Sequence, residues 1–430
     1  MFFPTQTVIP TSNLEIDTED LQGIEIHFWH PWAGETGKAI TDLVKEFNRT
    51  NTWGIEVQAD SLGGFDELDA SVLTALEAGA GPEVVASFHY QGLGWNNAGH
   101  ELLELSPYVE DPVWGFDAAE QSDFYPAAWQ QEFSEAGRFG IPAQRTAQLL
   151  FYNLTWAEEL GFASPPTTPI QFKRQACAAA EASLQDADKT NDGRGGLIVS
   201  TDYNAMLSWI FAFDGDVVSP RGDRYQFDTP QVEAAFTFLR ELFDEGCAWI
   251  SALEIPEPEF ASRQGLFSIG SATSIPSQEA VFADLGSKDE WIVIPYPAGG
   301  SQVSLAIYGP DFMAFQSTPD RQLASWLLIR WLVSPAAQAR LAQASANFPV
   351  RTSSLEEIDL LVKIHPQWSV AASFLPSASP EPPFESWRVV RWAVSDAATQ
   401  LFRYYFTVDQ VPQLIELLNE TANDLHDSFR

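Results

Sequence analysis

The sequence predicts an α/β protein of two domains built on open sheets. Three observations carry this. Residues 24–88 alternate strand and helix signatures in the order β-α-β-α-β, the start of an open α/β sheet. The chain has 430 residues, enough for two or three domains. No tandem repeat and no composition break marks a linear boundary, as expected where the chain crosses between two domains more than once.

Residues 24–32 (IEIHFWHPW) are rich in β-branched and aromatic side chains, a strand signature. Residues 35–47 place Ile40, Leu43, Val44 and Phe47 on one helical face. Residues 55–59 alternate as a strand, 65–78 are helical with Val72, Leu73 and Leu76 inward, and 82–88 read as a buried strand. Ligands of open sheets sit at the carboxyl ends of the strands. Those ends are 30–32, 60–64 and 88–91, which carry aromatic, polar and Gly residues as a sugar site requires. Residues 140–153 pass from a Pro turn into an apolar strand, followed by helical signals at 156–160 and 170–182. A strand at 197–201 leads to a Trp/Phe-rich helix at 202–213, and 230–245 is strongly amphipathic. Residues 260–268 and 291–295 bracket another αβ unit, and 302–316, 319–332 and 335–343 read as strand, helix and helix. The remainder is mainly helical, with 384–402 rich in Trp and Arg.

Composition narrows the function. With 45% hydrophobic and 13% aromatic residues the chain has material for real cores, unlike a disordered acidic tail. Its 23 Lys+Arg against 59 Asp+Glu give a net charge of −36, which argues against nucleic-acid binding and against docking on an anionic membrane. Most of the 15 Trp, 10 Tyr and 30 Phe must pack in cores, but an indole exposed in a cleft is the usual surface for a sugar ring. Two cysteines, Cys177 and Cys247, exclude a disulfide scaffold and a zinc cluster and leave a single bridge open. Residues 1–13 lack the basic and apolar regions of a signal peptide, and 5–13 (TQTVIPTSN) read either as the polar tether that follows the lipidated cysteine of a surface lipoprotein or as a frayed terminus. The most apolar later stretch, 323–333, is too short to span a bilayer and is interrupted by Arg330.

Catalytic and metal motifs fail. His100-Glu101-Leu102-Leu103-Glu104 has Glu where a zincin needs its second His. Walker A, Gly-x-Gly-x-x-Gly and Gly-x-Ser-x-Gly patterns do not occur. Residues 186–196 (DADKTNDGRGG) look like a calcium loop but lack the carboxylate at the twelfth place, so a solvated turn is expected. No metal and no cofactor is expected. A carboxylate pair of glycosidase type stays open, because spacing in sequence does not give separation in space.

Several segments together resemble the extracellular solute-binding proteins, family 1, of ABC importers, to which the maltose-binding and glycerol-3-phosphate-binding proteins belong. FWHPWAGETGKAITDLVKEFNRTN resembles the family's opening strand, Gly-containing turn and helix. LTALEAGAGPEVV resembles its Ala-rich helix and Gly…Pro-Asp-Val segment, with Glu83 for Asp. GIPAQRTAQLLFYNLTWAEELGF resembles its crossover into the second domain, and PPTTPIQFKRQA its following turn, with Pro169 where Trp is common. FASRQGLFSIGSATS resembles a later strand, with Leu266-Phe267 for Ala-Met, and ASWLLIRWLVSPAAQARLAQASANFPVRTS resembles the late helix pair and its Pro-Val-Arg ending. The matches run in family order over about residues 22–400, while 306–310 depart from the usual Gly-Gly pattern.

The resemblance implies a type II periplasmic-binding-protein-like fold: two α/β lobes joined by a multi-segment hinge, with ligand clamped between them. It implies a tether at 1–21, an N-terminal lobe of 22–143 with 303–348, and a C-terminal lobe of 144–302 with 349–430. The expected function is capture of a sugar or short oligosaccharide by hinge closure and delivery to a membrane permease, by a monomer outside the cell membrane on a lipid anchor. No covalent chemistry is needed. A binding protein for glycerol 3-phosphate or its diesters, for which Arg145 and Arg351 speak, and a carbohydrate-active enzyme are the alternatives.

The resemblance also places site residues. Trp32 is the expected stacking platform, with His30 beside it and Trp29 in the core; Glu35 either accepts sugar hydroxyls or favours the helix N-terminus. Phe88, His89 and Tyr90 close the third strand, touching ligand or packing under a helix. Gln144, Arg145 and Thr146 precede the crossover strand, where the family often places a polar contact. Asn204 and Trp209 lie on the second lobe's aromatic helix, with core packing as the alternative. Ser271 and Thr273 follow the Gly270 turn, Tyr308 lies on a returning hinge strand, and Trp387 resembles the family's late stacking tryptophan.

Overall fold

A computed structural model describes residues 11–131, 133–134, 137–298 and 305–429. The chain divides into two compact units. Unit 1 is Met1–Gln144, Gly309–Ala344 and Pro349–Glu357, and unit 2 is Arg145–Tyr308, Ser345–Phe348 and Ile358–Arg430. The strands, in chain order, are β1 (Glu25–His30), β2 (Glu56–Ser61), β3 (Val84–Ser87), β4 (Phe133–Ser134), β5 (Gly137–Arg138), β6 (Ile141–Pro142), β7 (Thr146–Asn153), β8 (Gly195–Val199), β9 (Ala248–Ile250), β10 (Gly265–Ser271), β11 (Trp291–Ile294), β12 (Ala306–Tyr308), β13 (Asp311–Ala314) and β14 (Ser379–Pro380).

Unit 1 carries a five-stranded sheet in the order β2-β1-β3-β13-β6. β1 runs parallel to β2 and β3, and β13 returns antiparallel against β3 and β6. Ile26 and Phe28 of β1 point into the core, as period-two alternation requires, and meet Ile40, Leu43, Val44 and Phe47 of the helix Gly34–Thr50. The helix Pro319–Leu332 adds Leu323, Trp326, Leu327 and Leu328 to the same core, and the Trp326 indole N–H donates to the Trp114 carbonyl at 2.9 Å.

Unit 2 carries a sheet ordered β14-β12-β7-β10-β8-β9, with β11 also on β7. β7 is antiparallel to β10, β11 and β12, while β8, β9 and β10 share one direction and β14 follows β12. One edge of β7 serves two partners in turn: Thr146 and Ala147 pair with β12, and Leu150–Asn153 with β11. The helix Pro230–Asp244 buries Val232, Ala235, Phe236, Leu239 and Leu242, the apolar face of the amphipathic segment expected at 230–245. A disulfide joins Cys177, on the helix Pro169–Gln185, to Cys247, beside β9. Of the stretch 186–196, residues 186–194 form a turn in which Asp186 and Asp188 accept the N–H groups of Asp188 and Thr190, and the last two residues begin β8.

Several boundaries differ from the sequence reading: Gln144 belongs to unit 1, residues 345–348 belong to unit 2, and two larger differences lie at 302–316 and 349–357. The strand expected at 302–316 is two strands in two sheets: β12 joins unit 2 and β13 joins unit 1. Gly309-Pro310 separates them, and proline has no N–H to continue a ladder. Residues 305–308 therefore belong to the second unit, and the expected boundary at 302/303 lies outside the described residues. Residues 349–357 return to unit 1 rather than staying with the second lobe. The cause is Arg351, which is buried and donates from Nε to Asp123 at 2.8 Å. Asp123 also accepts from the Ser353 backbone and hydroxyl at 2.8 and 2.6 Å, and its own neighbour Phe124 bridges to Arg351.

Reduction of the Cys177–Cys247 bridge, or its replacement by Ser, is expected to lower the denaturant-unfolding free energy of unit 2 by about 4 kcal/mol, the loop-closure value for a separation of 70 residues. A midpoint unchanged on reduction would contradict this. Asp123→Ala leaves a buried guanidinium unpaired and should cost about 3–5 kcal/mol. Burial raises the Asp123 pKa, but bonds from Ser353, Thr352 and Arg351 outweigh it and hold the carboxyl below its ordinary value. That stabilisation is therefore complete above the unfolded value of about 3.9 and is lost as pH falls through the lower folded value. Urea melts of wild type and Asp123→Ala should converge on acidification below about pH 4.

Candidate functional site

In unit 1 the carboxyl ends of β1 and β3 present aromatic rings. His30 closes β1, buried, with its imidazole stacked on Trp32 at a centroid distance of 5.7 Å. Burial drives its pKa down to about 4 against the pull of Asp60, so the ring is neutral at pH 7. Trp32 is half-buried, meets Phe312 edge-on at 6.1 Å, and its carbonyl accepts the Ser61 hydroxyl at the end of β2. After β3, Gln91 fixes the turn: its Oε1 accepts the Phe88 N–H and its Nε2 donates to the Phe65 carbonyl. The Phe88 ring, half-buried, lies 4.3 Å from Phe65 and 5.2 Å from Tyr90. His89 and Tyr90 are buried, as is Gln144 after β6, while Glu35 is exposed in the first turn of Gly34–Thr50, where an acid favours the helix.

In unit 2 the strand register builds a row of polar side chains. Ser271 of β10 pairs with Gln148 of β7, and Thr146 of β7 pairs with Tyr308 of β12. Ile307 pairs with Pro380 of β14, which sets Glu381 beside Tyr308. These positions lie at the carboxyl end of β10, β12 and β14, the end at which open sheets take ligands. β8 ends there too, followed by Asp202, which caps the helix Tyr203–Ala212: its Oδ1 accepts the N–H of Asn204 at 2.8 Å and of Ala205 at 3.3 Å. Gln148 Nε2 donates to the same oxygen at 3.3 Å.

Charges and rings converge on this row. The Trp387 indole N–H donates to Glu381 Oε1 at 2.9 Å. Burial pushes the Glu381 carboxyl up to about 7, against the Trp387 bond and the charges of Arg391 and Arg145, with Asp202 adding to the rise. Burial likewise raises Asp202 above the usual carboxylate range. Tyr203 meets Trp387 and Trp392 edge-on at 5.9 and 5.8 Å, and the Arg391 guanidinium lies 5.5 Å from the Tyr203 ring centre and 5.0 Å from that of Trp392. Trp392 keeps 55% of its surface exposed. Three buried oxygens, Thr146 Oγ1, Gln148 Oε1 and Asn204 Oδ1, have no hydrogen-bond partner. Such atoms call for a hydroxyl-bearing ligand or water.

The sequence-based set therefore divides. Unit 1 holds Trp32, His30, Glu35, Phe88, His89, Tyr90 and Gln144; unit 2 holds Arg145, Thr146, Asn204, Trp209, Ser271, Thr273, Tyr308 and Trp387. Trp209 corrects the expectation of a ligand contact: it is fully buried among Phe172, Phe238 and Tyr296, with centroids at 5.3, 5.7 and 4.9 Å, and is a core residue. Trp387 is also fully buried, its N–H on Glu381, so it offers no open face in this structure. The Ser271 and Thr273 hydroxyls bond each other at 2.6 Å. Arg351, a candidate for an anionic group, is committed to Asp123. Asp202, Tyr203, Gln148, Glu381, Arg391 and Trp392 were missed by the sequence reading. Arg391 follows Trp387 by four residues on one helix and so shares its face, a signal that was readable. Glu381 sits in a Pro-rich stretch (SPEPPF) with no periodicity to mark it.

Solved structures similar to the chain include the cyclic α-maltosyl-1,6-maltose binding protein of Arthrobacter globiformis, with TM-score 0.77, 15% identity and coverage of 94% of this chain and 99% of that one. The sugar-binding protein MalE of Xanthomonas citri gives TM-score 0.79 at 18% identity, covering 94% and 98%. UgpB of Mycobacterium tuberculosis, in complex with glycerophosphocholine, gives 0.70 at 18%, covering 93% and 98%. At these identities the likeness establishes the fold, that of the type II periplasmic solute-binding proteins. No curated protein matches the chain in sequence. Residues 42–369 match the family described as bacterial extracellular solute-binding protein. The chain belongs to that family, whose members bind and hand on solutes rather than transform them.

Proposed function

We propose that the protein captures a neutral sugar or short oligosaccharide for an ABC importer, closing its two units on the ligand and delivering it to the permease. The observation that carries this is the carboxyl end of the unit 2 sheet, where Thr146 Oγ1, Gln148 Oε1 and Asn204 Oδ1 are buried without partners beside the rings of Tyr203, Tyr308 and Trp392. Unpaired oxygens next to aromatic faces match the hydroxyl rim and apolar face of a pyranose. Hinge closure supplies selectivity, because contacts from both units coexist only in the closed state. The chain acts as a monomer, without cofactor, outside the cell membrane; Ser12 and Asn13, expected in a tether, are instead bonded to Asp111. A second reading, a glycerol phosphate or its diester, draws on Arg145 and Arg391, both within reach of Glu381. Against it, the same site holds Asp202 and Glu381, so the two cations face two carboxyl groups rather than an empty anion hole.

A thermal-shift screen over sugars, polyols and phosphodiesters tests the reading. A ligand at one hundred times its dissociation constant adds about 2.7 kcal/mol of stability. Stabilisation by phosphodiesters alone would move the function to the second reading. Trp32→Ala should weaken sugar binding by about 1–3 kcal/mol, the size of a truncated aromatic anchor, with only a modest drop in the melting temperature of the free protein from its lost contacts with His30 and Phe312. Normal affinity with a much lower melting temperature would make Trp32 a core residue. Arg145→Gln should change sugar affinity little and leave it insensitive to salt. A loss of several kcal/mol would indicate a bound anion, since a charge-assisted pair would be broken.

A further inference from the structure

The group in unit 2 that the sugar-binding reading leaves without a role is Glu381. It is an acid at the end of a two-residue strand, 5% exposed, inside the row built by Thr146 and Tyr308. One of its oxygens takes the indole N–H of Trp387, whose ring in turn supports Tyr203 edge-on. We infer that Glu381 is a positioning residue that holds Trp387 and Tyr203 through this bond, and that ligand capture in unit 2 is linked to uptake of one proton by its carboxyl group.

The surroundings explain why the proton moves near neutral pH. Burial is the dominant influence and favours the neutral acid. Arg391, from the same helix as Trp387, and Arg145, ahead of β7, favour the carboxylate. Asp202, at the head of the helix Tyr203–Ala212, opposes it, and the Tyr203 and Tyr308 phenols, both held protonated by burial, complete the set that faces it from the neighbouring elements. Asp216 lines the same small recess, of about 280 Å³, as Glu381. The balance leaves the carboxyl titrating at about 7. A ligand seated on the row removes solvent from a carboxyl group that is already nearly dry, and so favours the protonated form further. By linkage, affinity falls as pH rises above 7.

The sign for the free protein follows from the same rule. The folded state holds the proton between the unfolded value of about 4.3 and the folded value of about 7, so wild-type stability declines as pH rises through that window. Glu381→Gln keeps an acceptor for Trp387 and carries no charge. It should melt with wild type at pH 5 and above it at pH 8.

The test has a free-protein arm and a ligand arm, the latter resting on the sugar-binding reading. In protein labelled with ¹⁵N-tryptophan, with the Trp387 indole resonance assigned by Trp387→Phe, that resonance should titrate with a midpoint near pH 7 in wild type and stay flat in Glu381→Gln. A flat wild-type resonance between pH 5.5 and 8.5 overturns the proposal. In calorimetry with maltotriose, or with the best sugar of the screen, the wild-type dissociation constant should rise by up to about tenfold per pH unit above 7, the limit for one proton, and be level in Glu381→Gln. A residue of structural importance alone would weaken binding equally at every pH. Sugar binding that is independent of pH in wild type overturns the proton linkage and leaves the functional reading standing. If no sugar binds at any pH, the functional reading falls and takes the ligand linkage with it, while the indole titration still decides whether Glu381 ionises against Trp387.

Discussion

The register of β7 is the constraint on which unit 2 depends. Its eight residues pair with β10 on one edge and with β12 and then β11 on the other. A slip of one residue would turn every side chain to the opposite face and scatter the row of Ser271, Gln148, Thr146, Tyr308 and Glu381. Fidelity comes from the apolar run that follows, Leu149, Leu150, Phe151 and Tyr152, all buried, with Tyr152 bonded through its hydroxyl to Gln175 at 2.7 Å. The polar end of the strand is placed by the packing of its apolar end.

The two units prepare their strand ends differently. Unit 1 offers rings, Trp32 and Phe88, each braced by another aromatic, with the Trp32 carbonyl and the Phe88 N–H already paired. Unit 2 offers unpaired oxygens and a carboxyl group held close to neutrality by burial. Neither needs a nucleophile or a metal, in keeping with a family of binding proteins.

Periodic elements were legible in the sequence. The helices at Gly34–Thr50, Pro230–Asp244 and Pro319–Leu332 follow from their apolar stripes or caps, and the β-α-β-α-β opening follows from alternation. Local pattern was silent where long-range pairing decides. Residues 302–316 read as one strand, and only the pairing of β12 and β13 with different sheets makes Gly309-Pro310 a boundary. Arg351 reads as part of a motif, and only Asp123, far away in sequence, shows why residues 349–357 belong to unit 1. At the site, aromatic residues announced themselves by type. Glu381 and Asp202 did not, because in a chain with 59 acidic residues one more carboxylate carries no signal until its burial is known.

The place of β13 has a consequence for how the chain is made. β3 pairs with β1 on one edge and with β13 on the other, yet β13 is Asp311–Ala314, after nearly all of the unit 2 sheet. A chain emerging amino end first exposes the open edge of β3 through the whole synthesis of β7 to β12. Val84, Val85 and Ala86 would then offer free backbone donors and acceptors to any strand within reach, including those of another copy. Protein export would need this edge to be shielded by a chaperone, or the chain to be kept unfolded until residue 314 is available.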